Sequence, residues 1–257
     1  MKHNFLLATG VAALLAFSSC KKDEPGTPAQ NNPGVTKQLK KITKTEAGTV
    51  TVYNLTYDAA KRLTSYKSTD NKEYVFFTYD ANGNLTNVEQ KDTEFKNIYA
   101  YTFANNIPVS ATFKSWEVNA AGQPGDMIED DKLTYTVTNN QVSKIKLEML
   151  QDATEINLLM TYSNGNLTKV ASEGMAVYTA TFTFGNKKSA LPKVTNWILD
   201  QAGFSLQFGA NNDMLSVAYD FPGTAADRSV NTTYTYDSNG YVLTSNDGAA
   251  QQVFEYQ

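Results

Sequence analysis

The side chains in this sequence that could carry out chemistry are mainly carboxylates. Four Asp residues directly follow a Tyr, and a pair of carboxylates can hydrolyse a glycosidic bond without any histidine. These residues are Asp58, Asp80, Asp220 and Asp237. Each also lies where a hairpin turn or a strand end favours Asp, because its carboxylate accepts hydrogen bonds from the backbone. We therefore predict no catalytic residue and no enzyme, and keep a carboxylate-dependent glycosidase as an alternative.

A second group of acids lies in the stretch "NAAGQPGDMIEDD", namely Asp126, Glu129, Asp130 and Asp131. Carboxylates crowded on a flexible loop are ligands that Ca²⁺ accepts. The same charges also keep a long hairpin end soluble, and this simpler reading predicts a solvated loop with no metal site. The phrase "DANGNL" does not fit a calcium loop, because Gly83 falls at its fourth position and not its sixth.

Two tryptophans, Trp116 and Trp197, lie next to polar sequence. Indole rings provide stacking surfaces for sugars, so these two residues are the candidate ligand platform. Aromatic packing on a sheet is the simpler explanation in a chain with 15 Tyr and 13 Phe.

The first residues have the features of an exported lipoprotein. Lys2 precedes an apolar stretch from Phe5 to Phe17, which is shorter than the roughly 20 residues of a membrane-spanning helix. Cys20, the only cysteine, follows two serines and resembles the lipobox cysteine at which bacterial lipoproteins are cut and acylated. We predict a signal peptide over residues 1–19, lipid attachment at Cys20, and through it a membrane as partner.

Residues 20–35 are polar and Pro-rich, without aromatic side chains, and predict a disordered tether. Lys22, Asp23 and Glu24 resemble the export signals that send Bacteroidota lipoproteins to the outer face of the outer membrane. Without the signal peptide the chain has 21 basic and 26 acidic residues and no histidine, since His3 is removed with it. This composition excludes a nucleic-acid partner and histidine-based catalysis, and we predict no cofactor.

We predict that residues 36–257 form one repeat-built β domain. Aromatic and aliphatic residues alternate with Thr, Asn and Ser, which is typical of strands with one buried face. Examples are the runs Tyr53-Leu55-Tyr57, Val75-Phe77-Tyr79 and, by the same pattern, Phe204-Leu206-Phe208. Most runs lead into a turn phrase such as "TYDANGNLT" (78–86), whose Asp and Gly suit a hairpin tip. A three-residue step to the next apolar residue predicts a bulge past each tip.

The two-strand unit recurs about eight times, every 22 to 34 residues, and one strand at each end brings the total to 16–18. We predict an all-β fold, an up-and-down antiparallel meander. Such a sheet, closed as a round barrel, would be too wide for its walls to meet, so we expect a large flattened barrel whose apolar walls pack on each other.

Tyr57-Asp58 with Leu63-Thr64, and Tyr79-Asp80 with Leu85-Thr86, resemble the YD repeats of Rhs-type proteins. Together with the lipoprotein signal, the chain over residues 35–257 resembles a family of secreted Bacteroidota lipoproteins of unknown function with a porin-like fold. The resemblance implies a large β-barrel and no particular activity.

The strands are slightly short for a membrane barrel and form no aromatic girdles, so we expect the barrel to lie in water. The sequence thus predicts an outer-membrane lipoprotein exposed at the cell surface, a binding or display module for a glycan or a protein. A porin-like membrane channel remains the first alternative and the glycosidase the second.

Overall fold

The fold is almost entirely β-structure. A computed structural model describes residues 37–174, 177–200 and 204–257. The strands are β1 (Leu39–Glu46), β2 (Thr49–Tyr57), β3 (Leu63–Ser68), β4 (Tyr74–Tyr79), β5 (Leu85–Lys91), β6 (Phe95–Ala104), β7 (Ile107–Val118), β8 (Pro124–Thr138), β9 (Gln141–Met149), β10 (Thr154–Ser163), β11 (Asn166–Gly174), β12 (Thr179–Lys188), β13 (Asn212–Asp220), β14 (Arg228–Asn231), β15 (Thr233–Tyr236), β16 (Val242–Asn246) and β17 (Ala250–Tyr256). One short helix, α1 (Phe204–Gly209), lies between β12 and β13.

The strands form one antiparallel meander that returns to its start. Most strands pair with their neighbours in the chain, and β1 pairs with both β2 and β17. Between β13 and β16, Thr232 separates β14, which pairs with β13, from β15, which pairs with β16. The 17 strands thus make a nearly closed barrel, and the predicted fold class is confirmed.

The repeated phrase forms hairpin tips, as predicted. At the β4–β5 tip, Asp80 Oδ1 accepts the backbone N–H groups of Asn82 and Asn84, at 2.9 and 2.8 Å. Gly83, with φ of 86°, takes the left-handed conformation that Gly adopts without strain. The strand register shifts between Thr78 and Tyr79, which is the predicted bulge. We call the end of the barrel that carries these tips the repeat-turn end.

The barrel is mainly apolar inside and mainly polar outside. The buried side chains on the strands are mostly Leu, Ile, Val, Phe and Tyr, and they form one core cluster. The outer face carries ion pairs such as Lys41–Glu255, Lys96–Glu89 and Lys132–Glu148. It also carries cross-strand hydroxyl pairs, for example Thr235 with Thr244. Among the described residues, no helix is both long and apolar enough to cross a membrane.

The described residues 189–200 and 204–211, between β12 and β13, contribute buried side chains to the interior of the barrel, and we call them the plug. The ring centroid of Phe77 on β4 lies 5.2 Å from that of Phe208 and 5.5 Å from that of Phe204. Elsewhere on the wall, the hydroxyl of Tyr135 on β8 donates to the carbonyl of Leu199 at 2.6 Å. The plug therefore joins separate parts of the wall through the core.

The assignment of Phe204, Leu206 and Phe208 to a strand was wrong, because they lie on α1. All three side chains are buried, so their alternation does not arise from a strand with one solvent-exposed face and one buried face. The expectation that the walls fill the interior by packing directly on each other also needs correction, since the plug supplies part of the core. A helix in the interior allows aromatic residues to fill a barrel too wide for its own side chains.

Candidate functional site

The barrel wall has an opening between β11 and β12. In the described part of the chain, these strands pair only at Lys169–Thr181, Val170–Ala180 and Ala171–Thr179. Beyond Thr181 towards the repeat-turn end, the pairs of β12 are with β13 alone. The gap between residues 163–168 and residues 182–186 is the feature we call the slit.

The slit contains a pocket of about 390 Å³. Its two sides carry Asn164 and Thr168 from the β10–β11 hairpin, and Thr183 and Asn186 from β12. Phe182 and Phe184 also line it, and their side chains point inwards by the alternation along β12. No charged residue contributes to the lining of this pocket among the described residues.

An amide network holds the end of the slit at the β10–β11 turn. Asn166 Nδ2 donates to Asn212 Oδ1 at 2.9 Å, and Asn166 Oδ1 accepts the backbone N–H of Asn211 at the same distance. Asn211 Nδ2 in turn donates to the carbonyl of Gly165 at 2.8 Å. This network fastens the C-terminal end of the plug to the β10–β11 turn.

A buried carboxylate fixes the path of β12 beside the slit. Asp213 accepts the backbone N–H of Lys187 at 2.8 Å and the hydroxyl of Tyr236 at 2.6 Å. Gly185 lies directly against this carboxylate, and a Cβ atom there would collide with it. Gly185 is therefore required for the close approach of β12 to Asp213.

A second pocket, of about 240 Å³, lies on the outer face of β2 and β3. It is also lined by Asn and hydroxyl side chains, including Asn54, Thr56 and Asn71, but Lys67 contributes a positive charge. This pocket resembles the slit in polarity and has no aromatic residue among its lining side chains.

A polar cluster lies inside the barrel between β6, β7 and β8. Asp131 is 3% exposed and Glu129 is half-buried on the same inward face of β8. Burial, with the charge of Asp131, raises the pKa of Glu129 to about 7, and burial, with the charges of Asp130 and Asp152, raises that of Asp131 to about 7. On the neighbouring strands, Ser115 Oγ donates to Asn97 Oδ1 at 2.6 Å.

The fold can be compared with solved structures. A porin-like protein from Bacteroides vulgatus ATCC 8482 has a TM-score of 0.55 and 10% identity, over 86% of this chain and 99% of that one. The chain has a porin-like fold known from Bacteroides. A porin-like protein from Bacteroides uniformis ATCC 8492 has a TM-score of 0.47 and 18% identity, over 85% of this chain and 98% of that one. No protein-family model matches the chain, and no curated protein matches it.

The acidic stretch of this porin-like barrel is not a solvated loop, and that prediction was wrong. Asp126, Glu129, Asp130 and Asp131 all lie on β8, which extends from Pro124 to Thr138. Asp130 faces outwards and pairs with Lys114 at 3.3 Å, whereas Glu129 and Asp131 face inwards. No group of three or more His, Cys, Asp or Glu residues suited to a metal ion occurs in the described part of the chain.

The repeated aspartates of the porin-like barrel have structural roles at the turns. Asp58 Oδ2 accepts Arg62 Nε at 2.7 Å, and Asp237 Oδ1 accepts the backbone N–H of Tyr241 at 2.9 Å. The side-chain amide of Asn84, together with nearby backbone N–H groups, lowers the pKa of Asp80. Asp220 is the last residue of β13, at the opposite end of the barrel from the other three.

The structure does not bring Trp116 and Trp197 together. Trp116 lies on the outer face of β7, opposite Met127 of β8, whereas Trp197 belongs to the plug and packs against the core. No ring contact joins these two described side chains. Their role as a ligand platform stays a prediction.

Cys20, the signal peptide and the tether lie outside the described residues.

Sequence reasoning missed the asparagines of the slit, Asn164, Asn186 and Asn212. The first lies in "TYSNGNLT", where Asn is explained by its left-handed φ of 50° at a hairpin tip. The opening beside it depends on the end of the β11–β12 ladder, which no local pattern shows.

The step of 24 residues between Phe184 and Phe208, equal to an ordinary repeat, concealed the plug.

Proposed function

We propose that this protein is an outer-membrane lipoprotein, anchored through Cys20 and exposed at the cell surface, whose barrel binds a glycan or protein ligand without catalysing a reaction. The observation that supports this proposal is the polarity of the barrel. A membrane-spanning barrel places an apolar band towards lipid and polar residues inside. Here the ion pairs and hydroxyls face outwards and the apolar side chains face inwards.

The plug supports a binding role over transport. Phe204, Leu206 and Phe208 occupy interior positions in the core cluster, where a channel would need polar, hydrated side chains. A barrel of this kind is a rigid scaffold that presents its loops and wall openings to the surroundings. A porin-like channel is the second candidate, favoured by the fold that the chain shares with porin-like proteins.

Two measurements on the mature chain test the proposal. A Cys20→Ser variant made without residues 1–19 should purify as a monodisperse protein in buffer without detergent. The lipidated protein, added to planar bilayers, should give no ion conductance above the empty membrane. A requirement for detergent in the first experiment, or single-channel steps in the second, would favour the channel.

The anchor and the location need a cellular test. Wild-type protein should incorporate radioactive palmitate and fractionate with outer membranes, and Cys20→Ser should do neither. Proteinase K added to intact cells should digest the wild-type protein. Protection until the outer membrane is permeabilised would place the barrel in the periplasm.

A further inference from the structure

The shape of the slit suits a small ligand that enters from the side of the barrel. The two strands separate beyond Lys169 and Thr181, and the resulting pocket of about 390 Å³ is within the range of binding sites for small molecules. Because the opening lies in the wall, a ligand can reach it without passing through the core.

The polar groups of the slit match hydroxyl groups. A carboxamide donates through its nitrogen and accepts through its oxygen, so Asn164 on one side and Asn186 on the other can each bond to neighbouring sugar hydroxyls. Both side chains are exposed and are available to a ligand. Thr183, on β12 with Asn186, adds a hydroxyl group, which also shares a hydrogen bond of 2.6 Å with the hydroxyl of Ser216.

The aromatic residues of the slit complement the apolar face of a sugar ring. Phe184 is half-buried and Phe182 is buried, and both line the pocket from the inner side of the wall. A pyranose has C–H groups on its faces and hydroxyls around its edge, so it can contact phenyl carbons below and amides at the sides. The second pocket, on β2 and β3, lacks this aromatic surface.

The ligand should carry no charge. None of the described residues that line the pocket of the slit is ionisable, so a charged group would lose hydration there without gaining a partner. An extended peptide is disfavoured for a different reason, since strand addition needs a regular edge. The register of β12 shifts at Thr183–Phe184 and again before Lys188, which interrupts that edge.

We infer that the slit between β11 and β12 is a binding site for a neutral oligosaccharide, held by Asn164 and Asn186 over Phe184. This inference rests on the proposed binding function and names the chemical class of its ligand. The amide network of Asn166, Asn211 and Asn212 fixes the plug to the β10–β11 turn beside the site.

The test applies the lipidated protein, in detergent micelles, to an oligosaccharide array. The neutral oligosaccharides on the array are glucans, mannans and xylans, and the acidic ones are polygalacturonate and hyaluronan fragments. We expect binding to at least one neutral class and none to the acidic ones. The double variant Asn164→Gly/Asn186→Ala should weaken that binding about tenfold or more, as expected for two lost hydrogen bonds. Gly is chosen because position 164 has a positive φ.

A matched control comes from the second pocket. Asn71 also has a positive φ, of 63°, and Asn54 is exposed, so Asn71→Gly/Asn54→Ala makes the same two changes elsewhere on the wall. This control should bind within about twofold of wild type, and the melting temperatures of the three proteins should agree, so that a loss of folding is distinguished from a loss of binding.

Three results would overturn the inference: no neutral oligosaccharide bound, preference for the acidic oligosaccharides, or equal loss in the slit and control variants. Selection of extended peptides from a displayed library would show a peptide site instead, if those peptides competed with the oligosaccharide for the slit. The absence of conductance and of a detergent requirement would leave the proposed function standing even if the saccharide inference failed.

Discussion

The hydroxyl of Tyr79 on β4 donates a hydrogen bond to the backbone carbonyl of Leu63, the first residue of β3, at 2.8 Å. Three other pairs repeat this relationship at the same end of the barrel. They are Tyr57 with Leu39, Tyr162 with Val142, and Tyr256 with Val242. In three of the repeated phrases the Tyr thus fixes the end of one strand to the start of the preceding one, whereas Tyr236 of the fourth phrase donates to Asp213.

Removing one of these hydroxyls should lower stability modestly. Tyr79→Phe keeps the ring but leaves the carbonyl of Leu63 without this donor, and we expect a loss of about 1 kcal/mol in the free energy of unfolding, measured with urea. Phe103 occupies the equivalent position on β6, so Phe103→Tyr should gain a similar bond to Leu85 and stabilise the protein. Equal unfolding midpoints for Tyr79→Phe and wild type would contradict this role.

The interior carboxyl groups should make stability depend on pH. Burial raises the pKa of Glu129 and of Asp131 to about 7, whereas unfolded Glu and Asp titrate near 4. The folded state therefore binds more protons between about pH 4 and pH 7, so the free energy of unfolding should fall as pH rises through that range and level off above it. Below about pH 4 the contribution of these two groups is fully present.

The variant Glu129→Gln/Asp131→Asn should flatten this dependence, reducing the decline by roughly 1–3 kcal/mol in urea titrations at several pH values. Asp126→Asn, which changes an exposed carboxylate on the same strand, should leave the slope as it is. If the double variant declined as steeply as wild type, the two groups would not be the source.

The plug should contribute strongly to stability. Phe208→Ala removes a buried ring that contacts Phe77 and Phe204, and core Phe→Ala changes cost about 3–5 kcal/mol. Phe76→Ala removes a ring that is 38% exposed on the outer face of β4 and should cost much less. Thermal and urea unfolding of both variants checks the difference, and similar losses would show that the plug is not part of the cooperative core.

Gly185 should not tolerate a methyl group. A Cβ atom at this position would meet the carboxylate of Asp213, which is held on both oxygens by Tyr236 and Lys187. We expect Gly185→Ala to destabilise the protein by about 1–3 kcal/mol, as overpacking does. Gly125→Ala, with its nearest neighbour at 3.4 Å and no positive φ, is the control and should unfold close to wild type.

Periodicity was sufficient to predict most of this barrel, because the pattern recurs in every unit. The alternation around Tyr53 and Val75, the Asp and Gly of the tips, and the bulge after them are local features with local causes. The plug was not predictable in this way. Phe204 and Phe208 are four residues apart, as on one face of a helix, but three apolar residues at a spacing of two suit a strand equally well.

The acids of β8 were misread because composition alone does not show which charges face inwards. A run with Asp126, Glu129, Asp130 and Asp131 resembles a loop, although its alternation places Asp130 beside Lys114 and Asp131 in the core. The slit depends on the length of one strand ladder, which is a property of tertiary structure.

The pairing of β1 with β17 has a consequence for how the chain acquires this shape. Gln38 and Gln257 exchange backbone hydrogen bonds of 3.1 and 2.9 Å across a sequence separation of 219 residues. The pairing of β1 with β17 closes the barrel, and it can form only after every intervening strand has been synthesised and paired. Such distant pairing is kinetically slow, and until it forms, the two unpaired edges remain open to association with other chains, which makes the period before closure the vulnerable stage of folding.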